Sequence, residues 1–279
     1  MTDSRSVMTD DESRPAPHGS QPYSLQHTGR HADDSVLGPL IEVARRDTET
    51  LGLLLHGSRA ADMEDERSDY DLLWILTDRE YQRRVAAEQC APQVTMLGDR
   101  KHIELAYASP ERLLGAGMPG WYIRGLATAR ILVDRNGEIE RLMNDLLAIP
   151  EERVRREVPE MFDVYLNGFY RSMKASRRGN ELGARLEAAD SLTYLVQALF
   201  LLEGRWPPFH DRLMVSIDAL SAQGWAQGEL EHIFLDILRS ADPPLQQRLE
   251  DQVERLMRDR GYGGVIDDWD GEIDRVKSS

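Results

Sequence analysis

The sequence predicts an α+β chain: a small mixed β-sheet domain with flanking helices over residues 35–149, followed by an all-helical bundle over 150–262. Three observations predict it. Short apolar runs of strand length alternate with helical patterns up to residue 149. Strand signals vanish after Pro150. Long stretches with helical apolar spacing then follow, separated by short polar or Gly/Pro breaks. A chain of 279 residues is long enough to bury a substantial core.

Residues 1–34 are rich in Ser, Asp, Pro, Gly and His and lack apolar periodicity, so a disordered tail is expected there. His18, His27 and His31 fall in it at spacings that fit no compact metal site. Val36, Leu37, Leu40, Ile41, Val43 and Ala44 have helical spacing, with Ser35 as a candidate cap. Leu51 to His56 and Tyr70 to Leu76 read as buried strands, with Leu72 and Trp74 on a core-facing side. Arg79 to Gln89 reads as a helix. Gln93 to Leu97 and His102 to Tyr107 read as strands joined at Gly98-Asp99, and Ala129 to Val133 as a last strand before a helix ending near Ala148. In the bundle, helices are expected over 154–176, 181–203, 209–222, 227–239 and 245–258. Residues 263–279 carry Asp267, Asp268, Asp270, Glu272 and Asp274 and are expected to form an acidic tail.

Charge and composition narrow the function. With 34 Lys+Arg against 49 Asp+Glu, the net charge is −15, which argues against a broad nucleic-acid surface. An acidic field can steer small cationic substrates, and it also simply keeps a protein soluble. The single cysteine, Cys90, excludes an intramolecular disulfide and a Cys-rich zinc site, and nothing in the sequence near it activates a thiol. No apolar stretch reaches membrane-span length, and the N-terminus lacks an apolar signal core, so no membrane association and a cytoplasmic location are expected.

The chemistry concentrates in residues 57–73. Gly57-Ser58 ends a strand in a tight turn, where backbone N–H groups and a hydroxyl can cradle phosphate oxygens. Asp69 and Asp71 are two residues apart entering the next strand, so their carboxylates share a face. Two such carboxylates can hold Mg²⁺, which completes its shell with water and substrate phosphates. Two ions about 3.5–4 Å apart can clamp the attacking and leaving oxygens of a phosphoryl displacement. An Asp-X-Asp pair alone is equally compatible with a plain solvent-facing carboxylate pair. On a later strand Glu104 alternates with apolar Ile103, Leu105 and Tyr107, which puts it on a face that can join the pair; the alternative is a solvated strand carboxylate. His102 reads as a rim residue, and His56 as packing at a strand end.

This segment resembles the signature of the polymerase-β-like nucleotidyltransferase superfamily: Gly-Ser, then Asp-X-Asp about ten residues later. The interval from Ser58 to Asp69 is similar to that of bacterial antibiotic and minimal nucleotidyltransferases. The chain departs from them at Asp62, where those proteins often have glycine, so a different loop path is expected. The resemblance spans residues 51–77, continues more loosely over 150–215 and does not reach the termini.

The resemblance implies a site between the two domains. Asp69, Asp71 and Glu104 would be the catalytic and metal-binding residues, holding Mg²⁺ as two ions, with Glu104 or a helical-domain carboxylate as general base. Gly57, Ser58 and Arg59 would contact the nucleotide, ATP being the implied co-substrate. Arg171, Lys174 and Arg178 form one helical stripe that would contact the triphosphate or else be a solvated basic face. Glu187 and Asp190, with Tyr194 beyond them, would face a cationic acceptor or else be plain exposed positions. The Trp206 to Phe209 segment would pack between domains. The implied reaction moves AMP from ATP to a hydroxyl of a small cationic acceptor such as an aminoglycoside, releasing pyrophosphate. The alternatives are AMP transfer to a protein, as in toxin–antitoxin pairs, and a catalytically silent nucleotide-binding regulator. A homodimer with a shared cleft is compatible with the sequence.

Overall fold

The computed structural model describes residues 34–98, 101–115, 118–217, 220 and 223–278. The expected N-terminal tail, with His18, His27 and His31, lies outside the described residues except for Asp34. That residue is part of the fold. Helix α1 (Leu37–Arg46) buries Leu37, Ile41 and Ala44, one face at helical spacing. Asp34 Oδ1 accepts from the N–H groups of Val36 at 2.8 Å and Leu37 at 3.1 Å, so the residue closing the start of α1 is Asp34 and not Ser35.

Five strands form one mixed sheet in the order β3-β4-β2-β1-β5. They are β1 (Thr50–His56), β2 (Tyr70–Leu76), β3 (Gln93–Leu97), β4 (Lys101–Ala108) and β5 (Arg130–Asp134). β2 and β4 are parallel, and the other pairs are antiparallel. The central strands are apolar on both sides because both faces are covered. Leu53, Leu55, Leu72 and Trp74 pack with α1 on one face. Leu54, Leu73, Ile75 and Ile131 pack on the other with Ile139, Leu142 and Met143 of α6 (Glu138–Leu147). Helix α3 (Asp78–Ala86) follows β2, capped by Thr77, whose side chain accepts from Glu80 N–H.

Two short helices cover the second face without a predictive stripe: α4 (Pro110–Leu114) and α5 (Gly120–Leu126). Each has two turns or fewer, too few to show a period, although Ser109-Pro110 is a clear start signal. A one-turn helix α2 (Gly57–Ala60) closes β1.

The remainder is helical. α7 (Glu151–Arg177) and α8 (Glu181–Leu202) form a hairpin whose close approach is set by Gly168. A Cβ there would stand 2.9 Å from Ser191 Cβ. The serines on this seam are satisfied by backbone: Ser191 Oγ donates to Tyr165 O at 3.0 Å, and Ser172 Oγ to Ala184 O at 2.8 Å. Phe162, Tyr165, Phe169, Leu195 and Leu199 share a core with Phe234 of α10 (Glu229–Ser240) and with Val253 and Met257 of α11 (Pro243–Asp259). Of the helix expected over 209–222, Phe209 is instead extended after two prolines, a 3-10 turn (His210–Arg212) and α9 (Leu213–Ile217) follow, and residues 218, 219, 221 and 222 lie outside the described residues.

The segment expected as an acidic tail instead folds back onto the bundle. α12 (Gly264–Asp267) and α13 (Glu272–Lys277) bury Ile266, Ile273 and Val276 in that core. The acids face outward while Ile273 and Val276, three apart, face in; Lys277 ties the end to α11 through Glu250 and Asp251. Among the described residues no helix is long and apolar enough to cross a membrane.

Candidate active site

The site begins where β1 runs out. His56 is extended, and Gly57 turns the chain at φ 77°, a left-handed conformation that favours glycine. β1 pairs with β2 so that His56 lies opposite Asp71. A Cβ on Gly57 would fall onto Asp71 Oδ2 and lie 3.0 Å from its Cγ. The missing side chain is the space the carboxylate occupies. Ser58 follows in the first turn of α2, and its carbonyl accepts from Ala61 and Met63 N–H at 3.1 and 3.0 Å, closing the turn.

Two arginines hold the loop between β1 and β2. Arg59 Nε donates to Ser68 O at 3.2 Å and Asp69 O at 3.1 Å, its terminal nitrogen to Ser68 O at 2.8 Å, and the guanidinium lies 4.0 Å over the Tyr70 ring. Its donors therefore fix the backbone that presents Asp69. Buried Arg130 donates through Nε to Ala60 O at 2.6 Å and pairs with the Asp62 carboxylate. Asp62 itself stands at φ 55°. At the position where the resembled proteins often carry glycine, this chain adopts the glycine-favoured conformation with an aspartate, a residue enriched there, held by Arg130.

The parallel β2–β4 register sets Asp71 beside Glu104, so both point to one face. Asp69 Oδ1 accepts from the His102 backbone N–H at 2.7 Å, and His102 Nδ1 is 3.0 Å from the same oxygen. His102 thus orients Asp69 from the neighbouring strand. Glu104 is exposed, while Asp69 and Asp71 are half-buried. Burial raises the Asp71 carboxyl above its ordinary range and the charge of Asp69 adds to this, while Arg212 and His102 oppose it. Burial pulls the His56 imidazole down to about 4, with Arg212 adding to the effect and Glu104 opposing it. His56 is consequently neutral near pH 7 and supplies no positive charge to the carboxylates.

Among the described residues, no three or more acidic, histidine or cysteine side chains converge as a metal-binding group. The donor set still fits Mg²⁺ in kind, because the cation needs only one or two protein carboxylates beside substrate phosphates. Asp69 and Asp71 are such a pair, with like charges that raise the cost of leaving both ionised.

Two of the three cations of the basic stripe have partners within the bundle. Arg171 faces Glu187 at 3.9 Å. Lys174 Nζ donates to the Tyr170 hydroxyl Oη at 3.3 Å, and that hydroxyl in turn donates to Glu272 of α13 at 3.0 Å. Arg178 is exposed at the hairpin turn, and Asp190 is exposed on α8. Arg171 comes twenty residues after Glu151, about 30 Å along the helix from the end joined to the sheet domain.

The arginine whose charge reaches Asp71 is Arg212, which the sequence gives no reason to single out. It follows the segment that docks the bundle on the sheet domain. Trp206 is buried and donates through Nε1 to Leu147 O at 3.0 Å. Arg124 of α5 donates to the carbonyls of Pro207 at 2.8 Å and Pro208 at 2.9 Å. The aromatic-proline signal was visible in the sequence; the residue it delivers was not, because one Arg among many has no local mark.

The domain of unknown function DUF4037 matches residues 117–212. That span runs through β5, α6, α7 and α8 to Arg212, and it excludes Gly57, Asp69, Asp71 and Glu104. Among solved structures, the chain is similar to a nucleotidyltransferase-like protein from Exiguobacterium sibiricum 255-15. The identity is 17%, the match covers 84% of this chain and 74% of that one, and the TM-score is 0.35. No curated protein matches the chain.

Proposed function

We propose that the chain is a Mg²⁺-dependent nucleotidyltransferase that moves AMP from ATP to a hydroxyl group of a small cationic acceptor, of which an aminoglycoside is the model. The observation that carries this reading is the seating of Asp71 against side-chain-free Gly57, beside Glu104 in the β2–β4 register and two residues after Asp69. That arrangement places carboxylates directly at a Gly-Ser turn, the combination that phosphoryl transfer needs.

Asp69 and Asp71 would hold the cation, and bound there it would offset the charge of the phosphates. His102 and Arg59 keep Asp69 in place from the side chain and the backbone respectively. The Gly57-Ser58 turn would hold the outer phosphates. Glu104, exposed on the same face, would accept the proton of the acceptor hydroxyl as its oxygen bonds to the α-phosphorus and the bond to pyrophosphate breaks. The net charge of −15 favours a cationic acceptor.

The test is pyrophosphate release from ATP and Mg²⁺ across a panel of aminoglycosides, with Asp71→Asn as the control. Release that depends on acceptor and is lost in the variant supports the reading. Release only with a protein hydroxyl would overturn the acceptor class, and nucleotide binding without turnover would make the chain a regulator.

A further inference from the structure

Arg212 is a half-buried cation whose guanidinium is only loosely paired. Its Nε is enclosed and has no hydrogen-bond partner. Among the described residues the carboxylate within ion-pair range is its own neighbour, Asp211, 3.7 Å away and itself exposed to solvent. Leaving an enclosed donor unmade costs free energy, so a half-buried guanidinium with a free Nε is suited to a partner from outside the chain. Its charge reaches Asp71 and His56, yet it forms no ion pair with Asp71 or Glu104.

The segment that carries Arg212 is held on the sheet domain. Arg124 binds two successive carbonyls, Pro207 and Pro208, and both guanidinium groups contact the Phe209 ring, Arg124 at 5.3 Å and Arg212 at 5.8 Å from its centre. A Cβ on Gly125 of the same helix would lie 3.8 Å from the Phe209 ring, so that ring rests on α5. Planar guanidinium with several donors suits phosphate oxygens, and a cation opposite a carboxylate-held metal would face the other side of a polyphosphate.

We propose that Arg212 binds the phosphate chain of the nucleotide opposite Asp69 and Asp71, and that Arg124 acts through Phe209 as its positioning residue. This rests on the nucleotidyltransferase reading. Phosphate recognition is thereby made dependent on docking between the two domains.

The experiment titrates inorganic pyrophosphate, ATP and adenosine, each with Mg²⁺, into the full chain by calorimetry. Arg212→Gln should weaken pyrophosphate and ATP about ten- to a hundredfold while leaving adenosine unchanged. Arg212→Lys should recover part of the loss and serves where the Gln variant does not fold, as judged by circular dichroism. Arg124→Met should by itself weaken pyrophosphate and ATP but not adenosine, and should add nothing in the Arg212→Gln background. Unchanged pyrophosphate affinity in folded Arg212→Gln overturns the proposal while ATP binding and Asp71-dependent turnover keep the enzyme reading intact. A wild-type chain that binds neither ATP nor pyrophosphate overturns both.

Discussion

Gly57 and Asp71 occupy one another's space: the carboxylate of Asp71 fills the position a Cβ of residue 57 would take, at a backbone φ of 77°. Gly57→Ala therefore carries two penalties. The left-handed conformation costs about 1–2 kcal/mol for a residue with a Cβ, and the methyl group must also displace Asp71. Lowered thermal stability and loss of most pyrophosphate release are expected, read by melting curves and a turnover assay.

Asp71→Asn should separate stability from activity. Burial and the charge of Asp69 both disfavour ionised Asp71, so removing its charge relieves the fold. The variant is expected to melt at or above the wild-type temperature while releasing no pyrophosphate. A clear drop in melting temperature would show that Asp71 is instead a structural ion.

Arg59→Met removes three hydrogen bonds to the carbonyls of Ser68 and Asp69. A loss of about 1–3 kcal/mol is expected from the unsatisfied carbonyls and freed loop. Turnover should fall because Asp69 loses its fixed backbone. Hydrogen exchange over residues 61–69 should quicken, and exchange in α7 should not.

The bundle carries its own pH dependence. Glu250 is fully buried, and burial pushes its carboxyl up to about 7 even with Lys277 against it. The native state then holds this proton more tightly than the unfolded chain, whose ordinary value is 4.5. Its contribution to stability is complete below that value and is lost as pH rises toward 7. Denaturant midpoints should show this decline, and Glu250→Gln should flatten it; Lys277 keeps Asp251 at 2.8 Å and Glu254 at 3.4 Å in that variant.

The sheet was legible because its strands are short, apolar and bounded by turn residues. The pairing that matters was only partly so. Alternation in 102–107 put Glu104 on a candidate face, but a β2–β4 neighbour relation is a long-range fact. α4 and α5 were missed for want of length, and the 263–279 segment was misread because its acids outnumber the apolar residues that pack.

By itself the sequence determined the α+β order, the switch to helices after Pro150, and the local placing of Gly57, Asp69 and Asp71, all properties of spacing within one element. The tertiary structure alone decided which distant groups attend them. It brought His102 to Asp69, set Arg59 to holding backbone, gave Asp62 to Arg130, and brought Arg212 within electrostatic reach of Asp71 while Arg171 found Glu187. The reason is physical: periodicity reports which side of an element is buried, whereas the partner of a charge depends on how elements far apart in the chain are docked.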